Sequence, residues 1–247
     1  MDFLILYNGY KDSESLRWAL RTLDKNGQNV GRVFLVSDTK PAWCSDKVLH
    51  VRYKSDPKLY KEFDITAAIF HAVNNCDIAD RFLIGADDYF YLRPTDFNNY
   101  PIYLKGVLPE TPDGHPDMGG WKYVEALSNT RALLQAAGLP FNNYSGHHCF
   151  YGDRRLMAEF AGLFKASRSL RCAAVYDSLM ANIIVDKKNV LPVRRKDNKV
   201  NRATSLADLR QQIGETEHCF STTEAALANG VRSILQELFP EPSIYEK

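Results

Sequence analysis

Over the first hundred residues, short apolar runs alternate with stretches of helical spacing. Phe3-Leu4-Ile5-Leu6-Tyr7 is a continuous apolar run and predicts a strand buried on both faces. Asn8-Gly9-Tyr10 marks a turn, and Asp12 or Ser13 offers a helix N-cap. Leu16, Ala19, Leu20 and Leu23 then recur at helical spacing until Asn26-Gly27 stops the pattern. Val33 to Val36 predicts a second buried strand, closed by Ser37-Asp38. A strand-helix-strand unit of this kind winds right-handedly into a parallel sheet. Val48 to Val51 predicts a third, short strand. Residues 59–74 predict a helix with a broad apolar face of Phe63, Ile65, Ala67, Ala68, Phe70 and Val73.

The fourth run, Phe82 to Ile84, ends differently. Gly85-Ala86 follows, then Asp87-Asp88 and the aromatic cluster Tyr89-Phe90-Tyr91. Carboxylates are costly to desolvate, so a pair closing a buried strand calls for a cation, hydrogen-bond donors or water. Asn8, Asp38 and Asp87-Asp88 all fall at strand ends on one predicted edge, which is where α/β sheets bind ligands. There a carboxylate can hold Mn²⁺ or Mg²⁺ bridged to a diphosphate. A plain polar turn has the same composition.

Beyond Pro94 the pattern loosens. Pro101, Pro109, Pro112 and Pro116 punctuate it, and residues 109–120 read as a surface loop. Residues 121–137 predict a helix closed by Gly138. Residues 142–148 predict a polar loop ending in His147-His148 on a flexible, exposed turn, followed by a short strand at 149–151. Further helices are expected over 153–165, from about residue 174, from Ser205, and over 222–238. Residues 187–202 form the most basic stretch, including Arg194 and Arg195, with Asp197 as its only acid.

Composition adds bounds rather than direction. The 247 residues suit one α/β domain, 1–247, with a nucleotide-binding half to about residue 100 and helices beyond. A net charge of +1 gives no whole-chain pull toward polyanions. No run approaches the roughly 18 apolar residues of a membrane span, and no signal peptide is visible. The five cysteines lie far apart without a CxxC pair, which argues against a zinc ribbon and for reduced thiols in a cytoplasmic protein.

The order of these motifs resembles the nucleotide-sugar half of GT-A glycosyltransferases, with Ala86-Asp87-Asp88 as an x-D-D variant of their DxD-type motif. Leu16-Arg17-Trp18-Ala19-Leu20-Arg21-Thr22-Leu23, Val33-Phe34-Leu35-Val36-Ser37-Asp38 and Ile84-Gly85-Ala86-Asp87-Asp88-Tyr89-Phe90 are closer still to small bacterial and phage glycosyltransferases. They are also similar to Stealth-type sugar-phosphate transferases. The resemblance covers residues 3–100 well and 144–185 loosely. It implies a GT-A, Rossmann-like sheet with a helical C-terminal part. It further implies transfer of a sugar from a nucleoside diphosphate donor, a UDP-sugar, to a hydroxyl of a glycan or of a hydroxymethylated DNA base. Asn8, Tyr10, Arg17, Asp38 and Lys61 would line the donor pocket, Asp87 would face sugar hydroxyls, and Asp88 would ligate Mn²⁺ or Mg²⁺. His147 or His148 would add a metal ligand. Asp177, with Asp153 as its rival, would be the general base. Arg194 and Arg195 would clamp the diphosphate or meet a DNA backbone. Sugar-phosphate transfer, nucleotidyl transfer and an inactive binding module stand as alternatives. For nucleotidyl transfer, the loop after the first strand is poor in glycine.

Overall fold

The computed structural model describes residues 1–7, 14–56, 58–111, 121–184, 190–192, 198–214 and 218–247. Its principal strands are β1 (Asp2–Leu6), β2 (Val33–Ser37), β3 (Val48–Arg52), β4 (Arg81–Ala86), β5 (Tyr89–Tyr91), β6 (Ile102–Leu104), β7 (Phe150–Asp153), β8 (Lys199–Val200) and β9 (Cys219–Thr222). Its principal helices are α1 (Glu14–Asn26), α2 (Lys61–Asn75), α3 (Trp121–Ala136), α4 (Arg154–Glu159), α5 (Ala161–Ser167), α6 (Tyr176–Ile183), α7 (Leu206–Ile213) and α8 (Arg232–Leu238). None of the described helices is long and apolar enough to cross a membrane.

The fold is mixed α/β around a mostly parallel sheet of order β7-β4-β1-β2-β3. The continuous apolar runs explain the burial: Leu4, Leu35 and Ile84 are wholly enclosed, as parallel strands covered on both faces require. The chain starts in the middle, steps outward to β2 and β3, then returns through α2 to pair β4 with the other side of β1. The direction of winding therefore reverses between β1 and β4. Their C-terminal ends open the crevice in which such sheets bind ligands. The fifth strand, β7, runs antiparallel to β4, with Phe150 opposite Ile84 and Asp153 opposite Arg81.

A second, three-stranded sheet has β9 between β5 and β8. It carries its own apolar cluster, including Trp18 of α1, Phe90, Phe220, Leu209 and Leu235. The two-residue turn Asp87-Asp88 joins β4 of the large sheet to β5 of the small one, and is thus gripped from both sides.

Several boundaries differ from expectation. The helix expected over 153–165 breaks at Phe160 into α4 and α5. The last helix is interrupted by non-helical Asn229 and Gly230. Gly230 has φ +105°, and a Cβ there would lie 2.2 Å from the Ala203 carbonyl oxygen, so only glycine fits. On α2 the buried side is Glu62, Thr66, Ala68, Ile69, Ala72 and Val73, while Phe63, Ile65 and Phe70 are half-buried. The proline-rich stretch after residue 94 contributes β6 and short paired segments at Thr95–Asp96 and Gly106–Val107. None of the five cysteines is in a disulfide.

Candidate functional site

The crevice edge gathers charge from four parts of the chain. Asp88 is half-buried in the turn after β4. Burial pushes its carboxyl above the usual range, and the nearby charges of His147, Lys199 and Lys61 pull against that. Each neighbour arrives for a topological reason. Because β7 is antiparallel to β4, the residues just before it run back past the end of β4 and carry His147 toward Asp88. Lys199 pairs with Ser221, and Ser221 with Tyr89, so the small sheet delivers its cation beside the turn. Lys61 opens α2, which starts at the same edge.

Asp177 stands in the first turn of α6 and is half-buried. It is not the N-cap, a position held by Val175. Its Oδ1 accepts the Ser178 N–H at 2.5 Å and its Oδ2 the Gly146 N–H at 3.3 Å. Burial raises its carboxyl despite those bonds and the charge of Lys105. Glu62 is a third raised carboxyl, again mainly through burial, with Lys61 opposing and Asp177 adding to the rise. A helix N-terminus favours both acids electrostatically, which offsets part of their desolvation.

The 142–148 segment is not the exposed flexible turn expected. Asn143, Tyr144, Ser145 and His148 are buried. The Asn142 N–H donates to Asn182 Oδ1 (3.0 Å) and the Tyr144 N–H to Ser178 Oγ (2.9 Å), which sews the segment to α6. Tyr123 and Ser145 share a short hydroxyl contact. His147 is half-buried at the crevice. His148 instead turns inward: its ring stacks on Tyr103 with centroids 4.0 Å apart, and Asn198 Nδ2 meets its Nδ1 at 3.1 Å.

Other expected site residues fall elsewhere. Asp38 closes β2 on the crevice edge, half-exposed, with Oδ1 3.7 Å from Arg52. Arg17 lies over the Trp43 ring at 4.6 Å and 3.6 Å from Glu246, tying α1 to the C-terminal tail. Asp153, the rival base, caps α4 by accepting the Arg155 and Leu156 N–H groups, at the sheet edge opposite Asp88. Asp87 is half-buried beside Asp88. Asn8, Tyr10, Arg194 and Arg195 lie outside the described residues. Sequence reasoning missed Glu62, Lys105 and Asn198. Glu62 had a legible signal, since it precedes Thr66, Ile69 and Val73 on the inward face of α2 at helical spacing.

Among the described residues, no three His, Cys, Asp or Glu side chains are grouped to hold a metal by themselves. Neither a known family model nor a curated protein matches the chain.

Proposed function

We propose that this protein is a metal-dependent GT-A-type glycosyltransferase that moves a hexosyl or pentosyl group from a UDP-sugar to an acceptor hydroxyl. The observation that carries the reading is the Asp87-Asp88 turn at the reversal point of the parallel sheet, with cations around it. Burial raises the Asp88 carboxyl even with His147, Lys61 and Lys199 near it, and a hard cation ligated directly would stabilise its charged form further. The donor set fits an ion shared with the substrate: Asp88 and His147 would hold Mn²⁺ or Mg²⁺, and diphosphate oxygens would complete it. The bound ion would offset the negative charge of the diphosphate.

The chain's own residues then have distinct tasks. Lys61 and Lys199 meet the diphosphate as its charge grows. Asp38, on the same edge, accepts hydrogen bonds from the nucleoside. Asp177 takes the acceptor's proton. The acceptor oxygen bonds to the anomeric carbon, the carbon–oxygen bond to diphosphate breaks, and its electron pair leaves with UDP. A carboxylate made more basic by burial suits that proton transfer.

The test is a screen of nucleotide sugars with Mn²⁺, read by mass spectrometry. Wild type is expected to release UDP, to stop in EDTA and to restart with added Mn²⁺. Asp88→Asn is expected to fold and not to turn over. UMP as the by-product would indicate sugar-phosphate transfer instead, and full activity in excess chelator would remove the metal.

A further inference from the structure

Tyr89 carries the Asp87-Asp88 turn into β5. It pairs with Ser221 in the small sheet, and Tyr91, two residues on, shares its face. Tyr91 shows where that face looks, since its hydroxyl meets Cys149 Sγ at 2.6 Å. Cys149 lies level with the end of β4: a Cβ on Gly85 would come within 3.1 Å of its sulfur. From Tyr91 back to Tyr89 the chain moves toward the turn. From Cys149 back to Gly146 it moves the same way, because β7 is antiparallel to β4. The Tyr89 ring is thereby brought toward Gly146, whose N–H holds Asp177 Oδ2 at 3.3 Å. The charges of Asp88 and Asp177 both bear on its hydroxyl.

That hydroxyl has no hydrogen-bond partner among the described residues. Nor is it sealed. The enclosed unpartnered atoms among the described residues belong to Glu62, Arg131, His148, Asn198 and Ser221, so the Tyr89 oxygen holds part of the 8% of this residue that is exposed. The open side at this level is the crevice. Burial and the two acids keep the phenol protonated, which leaves a neutral group able to donate and to accept.

On the glycosyl-transfer reading, the diphosphate lies at Asp88 and the acceptor oxygen at Asp177. The anomeric carbon passes between them, with the ring oxygen and the C2 substituent beside it. The ring oxygen grows electron-poor as the bond to diphosphate breaks, and a phenol donating to it would oppose the transfer. A C2 hydroxyl has no such conflict: it accepts from the phenol and still donates to a carboxylate. We propose that Tyr89 is a specificity residue whose hydroxyl binds the 2-hydroxyl of the transferred sugar, which makes the donor a 2-hydroxy sugar rather than a 2-deoxy one. This role rests on the glycosyl-transfer reading above and adds to it the residue that reads the sugar.

The test is calorimetric titration of the full chain in Mn²⁺, using UDP, UDP-glucose and UDP-2-deoxyglucose against wild type and Tyr89→Phe. Wild type is expected to bind UDP-glucose about fivefold more tightly than UDP-2-deoxyglucose, the weight of one neutral hydrogen bond. Tyr89→Phe is expected to bind the two sugars alike and to bind UDP as wild type does. It should melt no lower, because the hydroxyl it loses holds no other described side chain. A purely structural tyrosine would weaken UDP and both sugars together, or lower Tm and leave the discrimination intact. Either result would overturn the proposal, as would a wild type that does not distinguish the two sugars. If wild type binds all three and the phenylalanine changes nothing, the donor-site reading stands and Tyr89 has no part in it. If wild type binds none of them, the glycosyl-transfer reading fails and the role of Tyr89 falls with it.

Discussion

Asp177→Asn separates the cost of burying this carboxyl from its proposed use as a base. The folded protein holds this carboxyl above its usual range because burial penalises the charge more than the Ser178 and Gly146 N–H groups and Lys105 favour it. The sign follows from proton linkage. Above the unfolded value, near 3.8, the folded state binds the proton more tightly. Stability therefore falls as pH rises through the folded value, and stays lower beyond it. Each unit between the two values costs the folded state about 1.4 kcal/mol at neutral pH. Asparagine cannot ionise and escapes that cost. Its one oxygen can keep the 2.5 Å bond from Ser178 and give up the 3.3 Å bond from Gly146, a loss of about 1 kcal/mol. The variant should thus gain on wild type between pH 4 and pH 7.5, and at pH 7.5 lie within about 1 kcal/mol of it or above it. Turnover should fall by roughly 10²–10⁴, the usual weight of a general base. Urea unfolding followed by circular dichroism at several pH values, beside a transfer assay, reads both. A variant that loses ground as pH rises would mean that the ionised carboxylate stabilises the fold, and the reasoning would be wrong.

Two further outcomes test the frame around the site. Asp2 accepts from the Arg32 guanidinium at 2.7 Å and from the Ala79 N–H at 3.0 Å. Burial works to raise its carboxyl, but these bonds hold it below the usual range. That stability is present above the unfolded value and is lost as pH falls through the folded one, so Asp2→Asn should cost about 1–3 kcal/mol at pH 7. The deficit should shrink toward pH 3; a deficit that holds constant in urea titrations across that range would count against the ion pair. Gly152→Ala would drive a Cβ to 2.4 Å from the wholly buried Phe82 ring, at a cost of about 1–3 kcal/mol. An unchanged Tm in a thermal melt would show that the edge strand β7 can shift at little cost.

The sequence by itself determined the strand-helix-strand opening and the four parallel strands, because continuous apolar runs between turn residues have few other ways to be buried. It also singled out Asp87-Asp88, since two carboxylates after an apolar run conflict with burial. It marked Asp177 through its position where a helix begins. Strand order was beyond it: nothing local says that β4 returns to pair with β1, and only that return creates the crevice beside Asp88. The antiparallel β7 was equally out of reach, and its register carries His147 to the crevice while sending Asp153 to the opposite edge. Adjacent in sequence, His147 and His148 point to different environments, because the stack on Tyr103 and the bond from Asn198 come from segments about fifty residues away in either direction. Lys105 looked like an ordinary surface charge in the chain, Lys199 was one charge of a basic run, and Glu62 showed only in its spacing on α2. Tertiary packing gathered them around three partly desolvated acids, and the chemistry of the site lies in that shared environment rather than in any one motif.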